Sequence, residues 1–448
     1  MIKKPTTISI VGAGLVGSLL SIYLARRGYK VSVYERRFDM RNTSLDAGRS
    51  INLALSNRGI RALEEVGLAE EMKRHSVKMK GRLMHDMQGQ LTFQPYGKTG
   101  QYINSISRSG LNKFLIQAAE KAGVHFFFEH RCLEVNLNET EITFEHQHDI
   151  RHVKPDLIIG ADGAFSSVRF ALQASDRFEY AQTYIEHGYK ELRIPSGDKG
   201  EFLMEKEALH IWPRESYMLI ALPNPDATFT CTLFFPFEGE QSFKKLKTPE
   251  DIQLFFQERF PDAVSLMPTL VEDFRDNPTS SLVTIRCSPW IKKNTMLIGD
   301  AAHGVVPFYG QGMNAGFEDC AVLNQLLDKH EDDWKLAARE FQQVRKVDAD
   351  AIAQLALDNF VEMRDLVGDP DFLLRKKIEA QLHELFPEKW IPLYSMVTFH
   401  HEIRYAEAQR IGQQQKLIMD QVMKTRDIEK TWEKLNFASI VSQLTPQQ

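Results

Sequence analysis

Cysteine is scarce in this chain and widely spaced. Only four cysteines occur among 448 residues, and no two of them have the C-x-x-C spacing. Such a distribution argues against both a disulfide framework and a zinc site. It favours reduced thiols in a cytoplasmic protein.

Long hydrophobic runs and an excess of one charge sign are also lacking. No uninterrupted apolar stretch approaches the roughly 20 residues that span a bilayer. Met1-Ile-Lys-Lys-Pro leads at once into a β-rich segment, which leaves no room for a signal peptide. The net charge is −5 with no basic block, which disfavours nucleic acid and anionic membranes as partners. We therefore expect a soluble protein without a membrane anchor.

What the chain does contain is a strand, a glycine-rich turn and a helix near its start. Gly12, Gly14 and Gly17 form G-x-G-x-x-G between the apolar strand around Ile8 and a helical segment. The first glycine permits the tight turn, the second lets a pyrophosphate approach, and the third lets helix and strand pack. Glu35 ends the next strand, where an acid accepts hydrogen bonds from an adenosine ribose and repels a 2′-phosphate. The site suits FAD or NAD; a tight turn without ligand is the alternative.

Two further strands end in a polar turn. Asp162-Gly163 follows Asp156-Leu-Ile-Ile-Gly160, and by itself it is a common turn. Asp300 follows Met296-Leu-Ile-Gly299 and is placed to accept a ribityl hydroxyl. We call each of these strand-end turns a corner: the turns at Gly12, Asp162 and Asp300. Three such corners on one chain predict a flavin-binding oxidoreductase.

A helix is predicted to start at the flavin ring. Gly310-Gln-Gly312 lets the main chain lie against a flat ring, and Met313 and Asn314 supply the first N–H groups of the helix that follows. A helix N-terminus stabilises the negative charge of a reduced flavin. His303 invites a catalytic role, but local packing or hydrogen bonding is the expected one.

The fold predicted from these patterns is α/β: a Rossmann-like FAD-binding domain with an inserted antiparallel sheet and a C-terminal helical region. The chain has one G-x-G-x-x-G unit, so a pyridine nucleotide would bind transiently in a cleft. We expect the FAD-binding domain at residues 1–77, 101–177 and 286–330, the substrate sheet at 78–100 and 178–285, and the helical region at 331–448.

The three corners, in this order, resemble the class A flavoprotein aromatic hydroxylases. More specific strings are Gly48-Arg-Ser-Ile-Asn-Leu-Ala-Leu-Ser56, His210-Ile-Trp-Pro-Arg214, Phe308 to Cys320, Asn359 to Arg364 and Ile391 to Phe399. The resemblance covers most of the chain. It implies bound FAD, transient NADPH, and hydroxylation of L-kynurenine to 3-hydroxykynurenine with O₂, a step of tryptophan degradation towards NAD.

The resemblance also implies site residues. The amino-acid end of the substrate would be held by Arg82, Tyr96, Asn359 and Tyr394. The remaining positions assigned to the cofactor are Val16, Arg36, Ala54, Arg108, Leu133 and Pro307. No catalytic base and no metal are assigned. The polar C-terminal tail departs from eukaryotic relatives, which carry a membrane-anchoring segment.

Without the resemblance, the sequence supports the substrate residues to different degrees. Arg82 lies beside a hairpin at Gln88-Gly89, where a three-residue loop is expected to place Tyr96 opposite Arg82 and a two-residue turn would place Pro95 there. We prefer the former; an exposed sheet arginine is the alternative. Asn359 lies on a buried helical face, where an amide needs partners, and a helix-to-helix hydrogen bond explains it equally well.

Two other functions remain open on the sequence. One is a class A hydroxylase of a phenolic acid such as salicylate, and the other is a non-catalytic FAD-binding redox protein. The sequence leaves open whether the chain is a monomer or a homodimer.

Overall fold

The computed structural model describes residues 1–42, 52–98, 100–363 and 369–444. Residues 48–51 and Arg364, which belong to two of the strings above, lie outside these ranges. The described chain forms four sheets and fifteen α-helices of very different length. It has the mixed α/β architecture that the sequence predicted.

A six-stranded sheet carries all three corners. Its neighbouring strands are parallel except for the antiparallel pair at one edge. The central strands are almost wholly buried, as expected for a parallel sheet covered on both faces. In spatial order the strands are β18 (Ile291–Lys292), β19 (Thr295–Leu297), β12 (Leu157–Gly160), β1 (Thr7–Val11), β2 (Lys30–Tyr34) and β8 (His125–Phe127).

Helices from distant parts of the chain share the core of this sheet. One of these helices directly follows the Asp300 corner, and a long helix comes next in the chain. These helices are α1 (Leu15–Arg26), α2 (Asn57–Glu65), α3 (Ala69–Arg74), α4 (Arg108–Lys121), α5 (Ser167–Gln173), α9 (Gly312–Lys329) and α10 (Trp334–Val361).

A seven-stranded sheet forms the second layer. It differs from the predicted antiparallel sheet because β5 and β14 pair in parallel. The chain between these two strands passes through the first domain, so no hairpin forces them to run in opposite directions. In spatial order the strands are β17 (Ser280–Ser288), β13 (Glu179–Ile194), β16 (Phe229–Pro236), β15 (Tyr217–Pro223), β14 (Ala208–Arg214), β5 (Gly81–His85) and β6 (Leu91–Pro95).

The two faces of this sheet have different neighbours. Alternate residues of a strand point to opposite faces, and Ile211 and Trp212 accordingly belong to different cores. Trp212 packs with α6 (Pro249–Arg259), α7 (Pro261–Val264) and α8 (Leu270–Asp276). Ile211 shares its core with the segment around Phe308, with α10 and with the C-terminal helices. The second face of the sheet therefore lies against the segment around Phe308, which follows the Asp300 corner.

The remaining elements complete these layers. Five C-terminal helices follow α10: α11 (Pro370–Leu385), α12 (Leu393–Phe399), α13 (Tyr405–Val422), α14 (Ile428–Thr431) and α15 (Phe437–Val441). Among the described helices none is both long and apolar enough to cross a membrane. The small sheets are β3 (Asn52–Leu55), β7 (Ile103–Ser107) and β4 (Val77–Met79), and β11 (Asp149–Val153), β10 (Glu141–His146) and β9 (Arg131–Asn136).

Candidate flavin and substrate site

The turn between β1 and α1 needs glycine for three different reasons. Gly12 has φ +106°, and a Cβ there would lie 2.5 Å from the carbonyl oxygen of Ala161. A Cβ on Gly17 would lie 2.0 Å from the carbonyl oxygen of Gly12. A Cβ on Gly14 meets nothing within 4 Å. Gly12 and Gly17 therefore make the turn, whereas Gly14 opens the backbone to a ligand.

The N-terminus of α1 is available to an anion. Gly14 is its N-cap, no side chain of the described chain caps it, and its first turn has no acidic residue. Such an end offers free N–H groups and about half a positive charge. A pyrophosphate group satisfies both needs.

Glu35 closes the other end of the dinucleotide corner. It is 7 % exposed, and its carboxylate accepts hydrogen bonds from the Ala13 N–H and the Arg37 N–H, each at 3.0 Å. Burial alone would raise its pKa, but the Arg37 guanidinium at 2.9 Å and these N–H groups hold the pKa below its usual range. The residue is therefore an ionised acceptor beside the turn, as ribose recognition requires.

Asp162 is used within its own corner. One of its carboxylate oxygens accepts from the Ser166 hydroxyl at 2.5 Å and the other from the Ser167 N–H at 2.7 Å, at the start of α5. Burial raises its pKa against these hydrogen bonds. Its carboxylate thus holds the turn that presses Ala161 against Gly12, and its contact with the cofactor stays a prediction.

Asp300 is exposed at the corner that follows strand β19. The surrounding protein raises the pKa of its carboxyl, and nearby Arg108 opposes the rise. A carboxylate in such a position gains from a hydroxyl donor. The structure thus brings Arg108, the first residue of α4, to the Asp300 corner.

Asn314 fixes the helix end that would face the flavin. Its side-chain amide donates to the Ala54 and Gly310 carbonyls, both at 2.8 Å, and its Oδ1 accepts from the Ser56 N–H at 3.0 Å. Gly310 has φ +66° and lies against Ala54. Three predicted positions, Ala54, Gly310 and Asn314, are therefore joined by one side chain.

The N-terminus of helix α9 is uncapped. Its N-cap is Gln311, no side chain from the described ranges caps it, and the first turn that holds Gly312 and Met313 has no acid. Val16 packs against Gly299 and Gly316 and so ties this corner to α1.

Three predicted cofactor positions are less informative. Pro307 begins the short 3-10 turn Pro307–Tyr309. Leu133 lies on β9 with its side chain 45 % exposed, so only its backbone is suited to a polar contact. Arg36 is exposed beside Glu35 and lines a surface cleft of about 380 Å³. Their roles stay predictions.

The corners together fit FAD. An open Gly14, an uncapped α1 N-terminus and an ionised Glu35 suit its adenosine pyrophosphate half. Asp300, Gly310 and the uncapped α9 N-terminus suit its flavin half. The fold and this site define an FAD-binding flavoprotein.

An arginine of the seven-stranded sheet lies beside two tyrosine rings. Arg82 of β5 lies with its guanidinium carbon 4.6 Å from the ring centre of Tyr394 and 5.7 Å from that of Tyr96. The two tyrosine rings stack at 5.6 Å. Burial lowers the pKa of Arg82, but Tyr394, Tyr96 and Glu362 outweigh it and the net shift is upward. The buried Arg82 Nε has no partner among the described residues, so a guanidinium donor is left for a ligand.

The hairpin register differs from the predicted one. Residues 86–90 separate β5 from β6, Arg82 pairs with Gln94, and the Tyr96 N–H donates to the Lys80 carbonyl at 3.1 Å. The predicted pairing of Arg82 with Tyr96 is wrong because the hairpin is centred on Gln88, one position earlier than that pairing requires. Tyr96 comes two residues after Gln94, the partner of Arg82, and therefore lies on the same face of the sheet as Arg82. The two side chains meet diagonally.

Asn359 contacts a loop and not another helix. Its amide donates to the Phe308 carbonyl at 2.7 Å, and the side chain is only 7 % exposed. The alternative of a helix-to-helix hydrogen bond is thereby replaced by an anchor for the segment before Gly310. The structure places Asn359 beside this loop, and its contact with the substrate stays a prediction.

Tyr309 is a site residue that the sequence reading missed. Its ring stacks on Tyr394 at 5.4 Å, and burial raises its pKa well above the usual range. Its neighbour Phe308 stacks on Phe360 of α10 at 4.2 Å. Proximity to Gly310 was the only signal for it, because an aromatic residue in a loop has no periodic pattern.

Comparison with known proteins places the chain in a family. The family described as FAD binding domain matches residues 5–338. Kynurenine 3-monooxygenase of Cytophaga hutchinsonii is 50 % identical over 430 residues, 95 % of each chain. The protein of that name from Flavobacterium psychrophilum is 48 % identical over 434 residues, 96 % of each chain. The fold is similar to 2-methyl-3-hydroxypyridine-5-carboxylic acid oxygenase, with a TM-score of 0.68 at 18 % identity, over 82 % of this chain and 95 % of that one.

The chain therefore belongs to the FAD-binding flavoprotein monooxygenases, as its corners indicated. Within that class it belongs to the kynurenine 3-monooxygenase family.

Proposed function

We propose that this protein hydroxylates the aromatic ring of L-kynurenine with NADPH and O₂, using bound FAD. The balanced reaction converts L-kynurenine, NADPH, H⁺ and O₂ into 3-hydroxykynurenine, NADP⁺ and water. The observation that carries the proposal is the buried Arg82 guanidinium, unpartnered at Nε and flanked by tyrosines, in a chain of this family.

Arg82 supplies the contact that an amino-acid substrate needs. A carboxylate matches the planar guanidinium, and each charge-assisted hydrogen bond contributes about 1.5–3 kcal/mol. Burial raises the pKa of the Tyr96 hydroxyl beside it, so that group stays protonated and able to donate. Arg82 and Tyr96, with Tyr394, would therefore hold the amino-acid end.

Apolar side chains near this cluster would orient the ring and keep water out. Met84, Ile211 and Phe234 of the sheet share one core with Phe308 and α10. The bound flavin would supply the redox chemistry: it would take two electrons from NADPH, and one oxygen atom of O₂ would go to the substrate while the other leaves as water. The substrate's aromatic amine, ortho to the reacting carbon, activates that carbon, so no general base is required. The contribution of the chain is position and exclusion of water.

Mass spectrometry of the product formed from kynurenine with NADPH and air tests the proposal. The expected product is heavier than kynurenine by one oxygen atom, and salicylate and 4-hydroxybenzoate should give none. Turnover of salicylate with no reaction of kynurenine would identify a phenolic-acid hydroxylase. A yellow protein whose NADPH oxidation kynurenine does not stimulate would point to a non-catalytic flavoprotein.

A further inference from the structure

The first turn of α2 touches the flavin-side helix. The Ser56 N–H, just before α2, donates to Asn314 Oδ1 at 3.0 Å, and a Cβ on Gly59 would lie 2.5 Å from the same atom. This turn therefore packs directly on the N-terminal turn of α9. Asn314 therefore links the start of α2 to the N-terminal turn of α9.

The same turn holds the C-terminal end of α12. Arg58 donates from Nε to the Val397 carbonyl at 2.8 Å and from Nη2 to the His400 carbonyl at 3.1 Å, and it also reaches the Ile403 carbonyl. The Asn57 amide donates to the Phe399 carbonyl at 3.0 Å. The last carbonyls of a helix have no partner within it. For α12, the side chains of Asn57 and Arg58 supply that partner.

The charge of Arg58 is balanced within the core. The residue is 1 % exposed, and its Nη1 lies 2.6 Å from Glu318 Oε1 in α9. Its guanidinium carbon lies 4.1 Å above the ring centre of Tyr405. Each guanidinium nitrogen of Arg58 has a partner, as a buried charge requires. Arg58 thus joins α9, α12 and the start of α13.

Tyr394 is the second residue of α12 and contacts Arg82. A seven-residue helix is too short to be stable by itself, so its position depends on what holds its ends. We propose that Arg58 is a positioning residue that sets Tyr394 against Arg82 relative to the flavin-side helix. This inference rests on the proposed function, since it assigns Arg58 to the geometry of the same substrate site.

Arg58→Lys separates position from charge. Lysine keeps a cation near Glu318 but lacks the planar fork that satisfies several carbonyls at once. We expect the KM for kynurenine to rise about tenfold, because a misplaced Tyr394 loses its contact with the substrate. The affinity for FAD should change less than about twofold. Arg61→Lys is the matched control, because Arg61 lies in the same helix with its side chain 37 % exposed. It should leave both values unchanged.

Hydrogen exchange supplies a readout that needs no turnover. In Arg58→Lys the amides of residues 393–403 should exchange faster than in the wild type, while those of α1 remain protected. Asn57→Ala, which removes one hydrogen bond at an exposed position, should shift both readouts in the same direction and by less. It tests the inference if Arg58→Lys fails to fold.

The outcomes are distinct. Unchanged exchange over 393–403 together with an unchanged KM would overturn the inference. Equal losses of FAD and kynurenine affinity would also overturn it, since they indicate a general structural role. If the wild type does not hydroxylate kynurenine, the proposed function fails, and faster exchange confined to 393–403 would still support the tie between Arg58 and α12.

Discussion

The dinucleotide corner and the substrate cluster are built in opposite ways. The corner comes from consecutive residues, since Gly12, Gly14 and Gly17 lie within one strand-turn-helix unit. The cluster joins Arg82 of β5, Tyr96 just after β6, and Tyr394 of α12, which lies some three hundred residues later in the chain. A local motif keeps its geometry wherever it folds, whereas the cluster exists only if the layers dock correctly.

The two regions also differ in how they leave polar groups unpaired. In the corner the free donors are backbone N–H groups at a helix end, which any chain with this turn presents. In the cluster the free donor is the Nε–H of Arg82, which has no partner among the described residues. Substitutions should therefore separate cofactor binding from substrate binding.

Arg82→Ala should give the largest effect. Loss of a charge-assisted pair of hydrogen bonds, about 3–5 kcal/mol, corresponds to a fall in kcat/KM of roughly a hundredfold to several thousandfold, mainly through KM. FAD titration followed by fluorescence should give an unchanged Kd. Arg82→Lys is the charge-matched control and should recover part of the loss. A variant that loses FAD but keeps its KM would refute the assignment.

Gly14→Ala should act on the opposite region. Its Cβ meets no protein atom within 4 Å, so the apoprotein should keep its Tm while the methyl group obstructs the pyrophosphate. We expect the Kd for FAD to rise about tenfold to a hundredfold, or 1.4–2.8 kcal/mol. Gly12→Ala is the contrast, because its Cβ would clash with backbone at 2.5 Å and should lower Tm itself. Equal effects of the two variants on Tm would remove the distinction.

Tyr394→Phe should have a smaller effect. The ring stacking on Tyr96 and Tyr309 is retained, and only the hydroxyl is lost. One hydrogen bond of about 1 kcal/mol predicts a rise in KM of roughly fivefold with FAD affinity unchanged. Tyr184→Phe, at a tyrosine that is 50 % exposed, is the control for steady-state assays. A KM identical to that of the wild type would place the Tyr394 hydroxyl outside the substrate contacts.

Asp156→Ala tests the stability of the first sheet, with the smallest expected effect. Hydrogen bonds from the Thr6 side chain and from the Thr7 and Thr6 N–H groups lower the pKa of Asp156 from 3.8 to about 2. Because the folded-state pKa is depressed, this stabilisation is complete above pH 4 and is lost as the pH falls through about 2. At pH 7 the variant should lose about 1 kcal/mol of unfolding free energy, after allowance for solvent screening.

Urea unfolding at pH 7 and near pH 2.5 would measure this difference. The gap between variant and wild type should shrink at the lower pH. Asp149→Ala, whose side chain is 75 % exposed, should show no such dependence. A gap that is equal at both pH values would mean that the Asp156 carboxylate contributes nothing through its charge.

Much of the flavin side could be predicted because its signals are local. The turn at Gly12, the acid at Glu35 and the start of the helix at Gly312 all follow from spacing and residue type. The substrate side could not be derived in that way. Arg82 had no local signal beyond its strand, and its assignment came from resemblance. The predicted hairpin register was wrong, since the sequence does not fix the residue on which the turn is centred.

Composition, glycine spacing and strand-end acids were sufficient to determine an FAD-type corner and an α/β chain, since backbone sterics and helix-end charge act over a few residues. Tertiary structure alone decided that β5 and β14 pair in parallel, that Tyr309 joins the tyrosine stack, and that Arg58 caps α12. These contacts join residues far apart in the chain, and their geometry depends on how whole layers pack, which no local pattern encodes.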